Sequence, residues 1–280
     1  MKTSEILGYP EDARLLIINI DDYGLCYTAN DSAIRLLREG AACSCTVMAP
    51  APWSLHGLAL VIENAGNQCG VHLTAISEHV LYRWRPLSSP ENVPSLIDPD
   101  GYLFLETQRD QLIRQADLRE LEREFRAQIE FVINLGVEVT HLDSHCDIHD
   151  ARDDIFKMSV ELAKHYGLAL RIDNPRYFEQ LKKERLLVID NPYLDSFRIP
   201  LKDKTETYLQ LLQELPEGLS EWAIHPAYES PELRAITPEW PVRATDDAFF
   251  NSEKFLQTIK SEGIELVSYK SLQPYWKNLR

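Results

Sequence analysis

Short apolar runs alternate with amphipathic segments along nearly the whole chain, and that alternation restricts it to a mainly parallel sheet covered by helices. The run RLLIINI at 14–20 reads as a buried strand. The segment TANDSAIRLLREG after it puts Ala33, Ile34 and Leu37 on one helical face, with Gly40 as the stop. A strand at 42–49, a helix from about 53 to 65 and a short strand at 69–73 continue the pattern. Between 115 and 135, Leu118, Leu121, Phe125, Ile129, Val132 and Ile133 recur at three and four residues, which predicts a long amphipathic helix ending at Gly136. Further strands are expected at 137–142, 168–172, 186–189, 220–225 and 264–268, with helices at 152–166, closed by Gly167, and at 249–262. Seven or eight strands in this order predict a closed or nearly closed α/β barrel.

Composition narrows the class of partner. The 280 residues, 44% of them hydrophobic, suffice for one large core, so a single domain over 1–280 is expected. A formal net charge of -15 argues against nucleic acid and against anionic membrane surfaces, both of which select for clustered Lys and Arg. It favours a neutral or cationic small molecule. The first apolar run is six residues long (Leu15 to Ile20), and no stretch approaches the roughly 18 apolar residues of a membrane span, so neither a secretory leader nor an anchor is expected. Five cysteines, odd in number and without zinc-finger spacing, fit reduced thiols and a cytoplasmic location. A homodimer is compatible with all of this.

Two stretches interrupt the rhythm. Residues 76–111 carry four prolines and little periodicity; a loop of that length is usually functional, and a substrate-covering segment is expected, with Tyr82, Trp84 and Tyr102 available to stack on a ligand. Residues 226–247, Pro-rich and acidic, are expected to wrap the same rim.

Ionisable residues recur at strand ends, where the loops of a parallel barrel converge and catalytic groups collect. Asp21 and Asp22 follow LLIINI, His72 closes CGV, Arg171 closes LAL and His225 closes WAI. The nine-residue run HLDSHCDIH, 141–149, follows VEVT and holds three of the eight histidines. Such a density of imidazole and carboxylate suits a divalent metal. Not every member can be a ligand. The first part continues the strand, which puts His145 near the rim and Asp143 where it can orient a histidine; His141 and His149 are candidates for supporting or substrate-contacting roles. Of two adjacent carboxylates at Asp21 and Asp22, one can bind metal while the other accepts a proton. His225, at a late strand end, is the candidate general acid. No GxSxG elbow supports a serine triad, and no Gly-rich phosphate loop is present.

Several ordered motifs resemble one family. INIDDYGL (18–25), GVHLT (70–74), RPLSSPENVPSLIDPDGYLF (85–104), THLDSHCDIH (140–149), GLALRID (167–173) and the IHP around His225 are similar to the motifs of carbohydrate deacetylases of the YdjC/ChbG/HpnK type, over about residues 14–270. The resemblance implies an irregular (βα) barrel, TIM-like or NodB-like, and a metal-dependent hydrolase removing acetyl groups from N-acetylated sugars. It matches Asp22, His72 and His145 to one divalent metal ion, Asp21 to the catalytic base and His225 to the late histidine. Two imidazoles and one carboxylate suit Zn, whereas Mg favours more oxygen ligands, so both metals stay open. Tyr23 replaces a Phe, Ile20 an Ala, and Asp147 stands where many members have His, which touches substrate preference. The alternatives are another metal-dependent sugar enzyme, an isomerase or a phosphoester hydrolase, and a sugar-binding protein without catalysis.

Overall fold

In a computed structural model that describes residues 2–64, 66 and 68–277, eight parallel strands form one curled sheet. They are β1 (Arg14–Tyr23), β2 (Ser44–Val47), β3 (Gln68–Leu73), β4 (Glu138–Ser144), β5 (Ala169–Leu170), β6 (Leu194–Asp195), β7 (Gly218–Ile224) and β8 (Ile264–Leu266). The order is β5-β4-β3-β2-β1-β7-β6, and β8 also pairs with β1. The ten-residue β1 is the axis: β7 pairs with it from Arg14 to Ile20, while its other edge is shared by β8 at Arg14–Leu16 and by β2 from Asn19 onward. No ladder joins β5 to β6 among the described residues. Instead, side chains span that opening, with the Arg171 guanidinium 5.3 Å from the centroid of the Tyr193 ring.

The helices fall where the apolar periodicity puts them. Tyr27–Glu39 and Asp153–Tyr166 end at Gly40 and Gly167, both in the left-handed region that a side chain would disfavour. The helix Leu118–Asn134 starts at Asp117, which caps the backbone N–H groups of Arg119 and Glu120, and buries Leu121, Phe125, Ile129 and Val132. Ser54–Asn64 matches the expected second helix up to its last position, Ala65, which lies outside the described residues.

Three expectations change. The run 186–189 is buried but joins no ladder, because side chains satisfy its carbonyls: Thr3 Oγ1 donates to Val188 at 2.6 Å and Trp276 Nε1 to Leu187 at 3.2 Å. The ladder passes to Leu194–Asp195, which pairs with Trp222 and Ala223. The helix expected at 249–262 is two helices, Trp240–Phe250 and Glu253–Ser261, since Ser252 caps the second through the Phe255 N–H. Residues 226–247 are therefore part helical, with Pro231–Ile236 also starting from a serine cap, Ser230.

The segment 76–111 is ordered rather than structureless. Ile76–Ser77 pairs with Phe104–Leu105, and carboxylates of the long helix bind its backbone: Glu124 accepts from Leu87 and Ser88 N–H at 2.9 and 2.8 Å, Glu120 from Ser95 N–H at 2.7 Å. A fully buried glutamate that accepts two amide protons keeps both partners satisfied where water is excluded. No helix of the described residues is long and apolar enough to cross a membrane.

Candidate active site and metal centre

Buried polar residues collect toward the C-terminal ends of the strands. Along β4 the two-residue period turns His141 and Asp143 inward, and His145, just past the strand, still lies on that side. His141 Nε2 reaches Asn19 Oδ1 at 3.1 Å, His72 Nδ1 donates to Asp143 Oδ1 at 2.7 Å, and His145 Nδ1 lies 3.1 Å from Asp22 Oδ1. Asp143 thus orients His72 rather than its neighbour His145. Thr46 Oγ1 holds the other Asp143 oxygen at 2.9 Å.

Adjacent residues of a regular strand point to opposite faces, so Asp21 and Asp22 could not share one site without a distortion. The register between β1 and β2 slips between Ile20 and Tyr23, and Asp22 has a φ of 58°, a left-handed conformation that aspartate tolerates better than most residues. This bulge delivers both carboxylates to the same cavity. Asp21 accepts from Arg171 twice, Nη1 to Oδ2 at 2.6 Å and Nη2 to Oδ1 at 2.7 Å, and from Asn19 Nδ2 at 2.8 Å. Arg171 also donates from Nε to Glu221 Oε1 at 2.7 Å, and Glu221 accepts from Tyr269 Oη. A buried bidentate pair of this kind fixes the orientation of the carboxylate.

Asp22, His72 and His145 offer one donor atom each, all within 4.8 Å of one another. Asp22 Oδ1 is 3.3 Å from His72 Nε2 and 3.1 Å from His145 Nδ1, close to the spacing of neighbouring ligands around one zinc ion, whose bonds are roughly 2.0–2.2 Å. The donor set fits a divalent metal: with His72 Nδ1 committed to Asp143, its Nε2 is the atom turned to Asp22, the carboxylate–histidine arrangement that supports metal ligands. Burial disfavours the Asp22 carboxylate, but Arg243 and His145 beside it hold its pKa well below the ordinary carboxylate range. For His72, burial works downward and the adjacent Asp143 pushes it up to about 9. The first shift reports a carboxylate held ionised by the cations beside it, the second an imidazole surrounded by carboxylates.

Arg243 is the main residue that sequence reasoning missed. It donates from Nη2 to Asp22 Oδ2 at 2.8 Å and lies 3.5 Å from Glu78 Oε1. The spacing held a signal: Arg243, Asp246, Phe249 and Phe250 form the buried face of the helix Trp240–Phe250. Asp246 in turn accepts from the His225 N–H at 2.9 Å, and Ser196 Oγ lies 2.9 Å from His225 Nδ1, so His225 Nε2 faces the cavity 4.0 Å from Asp21 Oδ2.

The cavity, about 240 Å³, is lined by Asp21, Asp22, His72, His145 and His225 and by walls from Glu78, Glu106, Tyr193, Phe197 and Glu239. Other candidates lie elsewhere. Trp84 is buried, its Nε1 donating to Ile76 O; Tyr82 Oη donates to Leu25 O; Tyr102 lies between the Arg83 and Arg85 guanidinium groups. None of the three lines the cavity. His141 stacks on Tyr269 at 3.9 Å and braces Asn19. His149 sits beyond a turn at Cys146 and Asp147, both with positive φ, which carries it away from Asp22 and toward Asp173. Asp147 lines the cavity and pairs with Arg198 at 3.0 Å. All five cysteines are free thiols.

The carbohydrate deacetylase of Thermoanaerobacter pseudethanolicus is 30% identical over 265 residues, covering 93% of this chain and 100% of that one. That of Thermus thermophilus is 33% identical over 247 residues, covering 83% and 84%. The crystal structure of the Enterococcus faecalis protein EF3048 superposes with a TM-score of 0.81 at 26% identity, over 93% of this chain and 99% of that one. The family model for YdjC-like proteins matches residues 15–261, so the chain belongs to the YdjC-like family.

Proposed function

We propose that the chain is a metal-dependent carbohydrate deacetylase that hydrolyses the acetamide of N-acetylated sugars. The observation that carries this reading is the convergence of Asp22, His72 and His145 on one point of a cavity that Asp21 and His225 also line. Asp22, His72 and His145 would hold a divalent ion, which when bound would supply Lewis-acid polarisation of the acetyl carbonyl and would lower the pKa of water. Asp21, held by Arg171 and Asn19, takes the proton from the water whose oxygen bonds to the carbonyl carbon. His225 Nε2, on the cavity side of a ring braced by Ser196, gives its proton to the nitrogen as the C–N bond breaks, releasing acetate and a free amine.

The walls suit a small uncharged sugar. At about 240 Å³ the cavity falls below the roughly 300–1,000 Å³ of drug-sized ligand sites, which fits one sugar unit at the reacting position with further units outside. Tyr193 and Phe197 offer ring faces, and the segment 76–111 contributes Glu78 and Glu106 as polar groups for hydroxyls. The test is acetate release from N-acetylglucosamine and its oligomers, with Zn, Mg, Mn and Co compared. Acetate with at least one metal and none after chelation is the expected result; acetate release unaffected by chelation, or none with any metal, contradicts the reading.

A further inference from the structure

A second group of metal-type side chains lies on the far side of the turn that follows His145. His149, 1% exposed, has its Nδ1 2.7 Å from Ser144 Oγ, which also accepts from the His149 backbone N–H at 3.0 Å. Its other ring nitrogen, Nε2, is buried without a hydrogen-bond partner, and so is Asp173 Oδ1. A buried polar atom without a partner is destabilising, so two facing each other call for a common partner.

The spacing says what kind. His149 Nε2 and Asp173 Oδ1 are 3.8 Å apart, too far for a hydrogen bond. Neighbouring donors on one tetrahedral zinc ion, each about 2.0–2.2 Å from it, stand about 3.3–3.6 Å apart, so a gap of 3.8 Å closes onto a shared ion with a shift of a few tenths of an ångström. Asp150 offers a third donor, with all three atoms within 4.8 Å of one another. Of the nearby cations, Arg198 sits 3.7 Å from the other oxygen, Asp173 Oδ2, and 3.0 Å from Asp147, leaving Oδ1 to face the imidazole, while Arg176 Nη2 reaches the backbone carbonyl of Asp150 at 3.4 Å.

We propose that His149, Asp150 and Asp173 form a second divalent-cation site, separate from Asp22, His72 and His145. One imidazole and two carboxylates suit Zn, Co or Mn. The ion ties the loop after β4 to the loop after β5. It thereby fixes the turn at Cys146 and Asp147 through which the cavity wall at Ser144 and Asp147 is placed.

The experiment is metal counting on the full chain, stripped with chelator and dialysed against Zn or Co in turn. Two ions per wild-type chain are expected, falling to one in Asp173→Asn and to one in His72→Ala. His149 is buried and its replacement could prevent folding, so the nearly isosteric Asp173→Asn is the principal variant, checked by circular dichroism. In the His72→Ala background, added Zn should raise Tm, and Asp173→Asn should abolish that shift. Wild type saturating at one ion that Asp173→Asn retains overturns the proposal. One ion lost with Asp173→Asn but kept in His72→Ala supports it and instead refutes the first ligand set.

Discussion

At the residue scale the site depends on charge pairs whose members are far apart in sequence. Asp22 was visible as half of an acidic pair, but its partner Arg243 lay in a stretch that reads as loop; only the period of the helix around it places the arginine inward. Arg243→Met should leave one Asp22 oxygen unpaired and weaken metal affinity by about 10–100-fold, the usual cost of losing a group that orients a ligand, as measured by competition with a chelating dye. His141 contributes differently. Burial keeps it neutral in the folded chain, with a pKa pushed down to about 3, whereas in the unfolded chain it titrates near about 6.5. Below about 6.5 the unfolded state binds a proton the folded state refuses. Its contribution is therefore complete above that pH and is lost toward about 3, at up to about 1.4 kcal/mol per unit. The stability gap between wild type and His141→Gln in urea unfolding should shrink as pH falls from about 7 to about 4; a constant gap contradicts this.

At the element scale, strands and helices were largely legible because their periods of two and 3.6 are set by burial on one face. What was not legible arises where the backbone departs from those periods. The β1 bulge at Asp22 and the left-handed pair Cys146–Asp147 redirect side chains that regular geometry would send elsewhere, and no residue pattern announces them. The run 186–189 looks like a strand because it is apolar, but its carbonyls find side-chain donors and the ladder moves on to Leu194–Asp195. Close approach between strands is the remaining hidden term. A Cβ at Gly70 would lie 2.4 Å from the His141 ring and 2.5 Å from Thr46 Cγ2, so only glycine lets β2, β3 and β4 pack with His141 between them. Gly70→Ala should cost about 1–3 kcal/mol in chemical unfolding, as overpacking of a filled core does, and unchanged stability would contradict that packing.

At the scale of the whole molecule, strand order brings the ends of β1, β3, β4 and β7 to one rim, so residues separated by up to about two hundred positions meet; the alternation of elements predicts that convergence before any contact is known. The net charge of -15 has a local counterpart, since Asp21, Asp22, Glu78, Glu106, Asp147, Asp195 and Glu239 all line the cavity. A phosphorylated sugar should therefore be a poorer substrate than its neutral parent, with a gap in kcat/KM that narrows as salt screens the field. In the proposed reaction Asp21 takes the proton while Asp22, His72 and His145 hold the metal. Acetate release and bound metal, measured together on wild type and Asp21→Asn, test it most directly. Equal metal content with turnover reduced by about 10²-fold or more in the variant is the expected result. Equal turnover at equal metal content would contradict it.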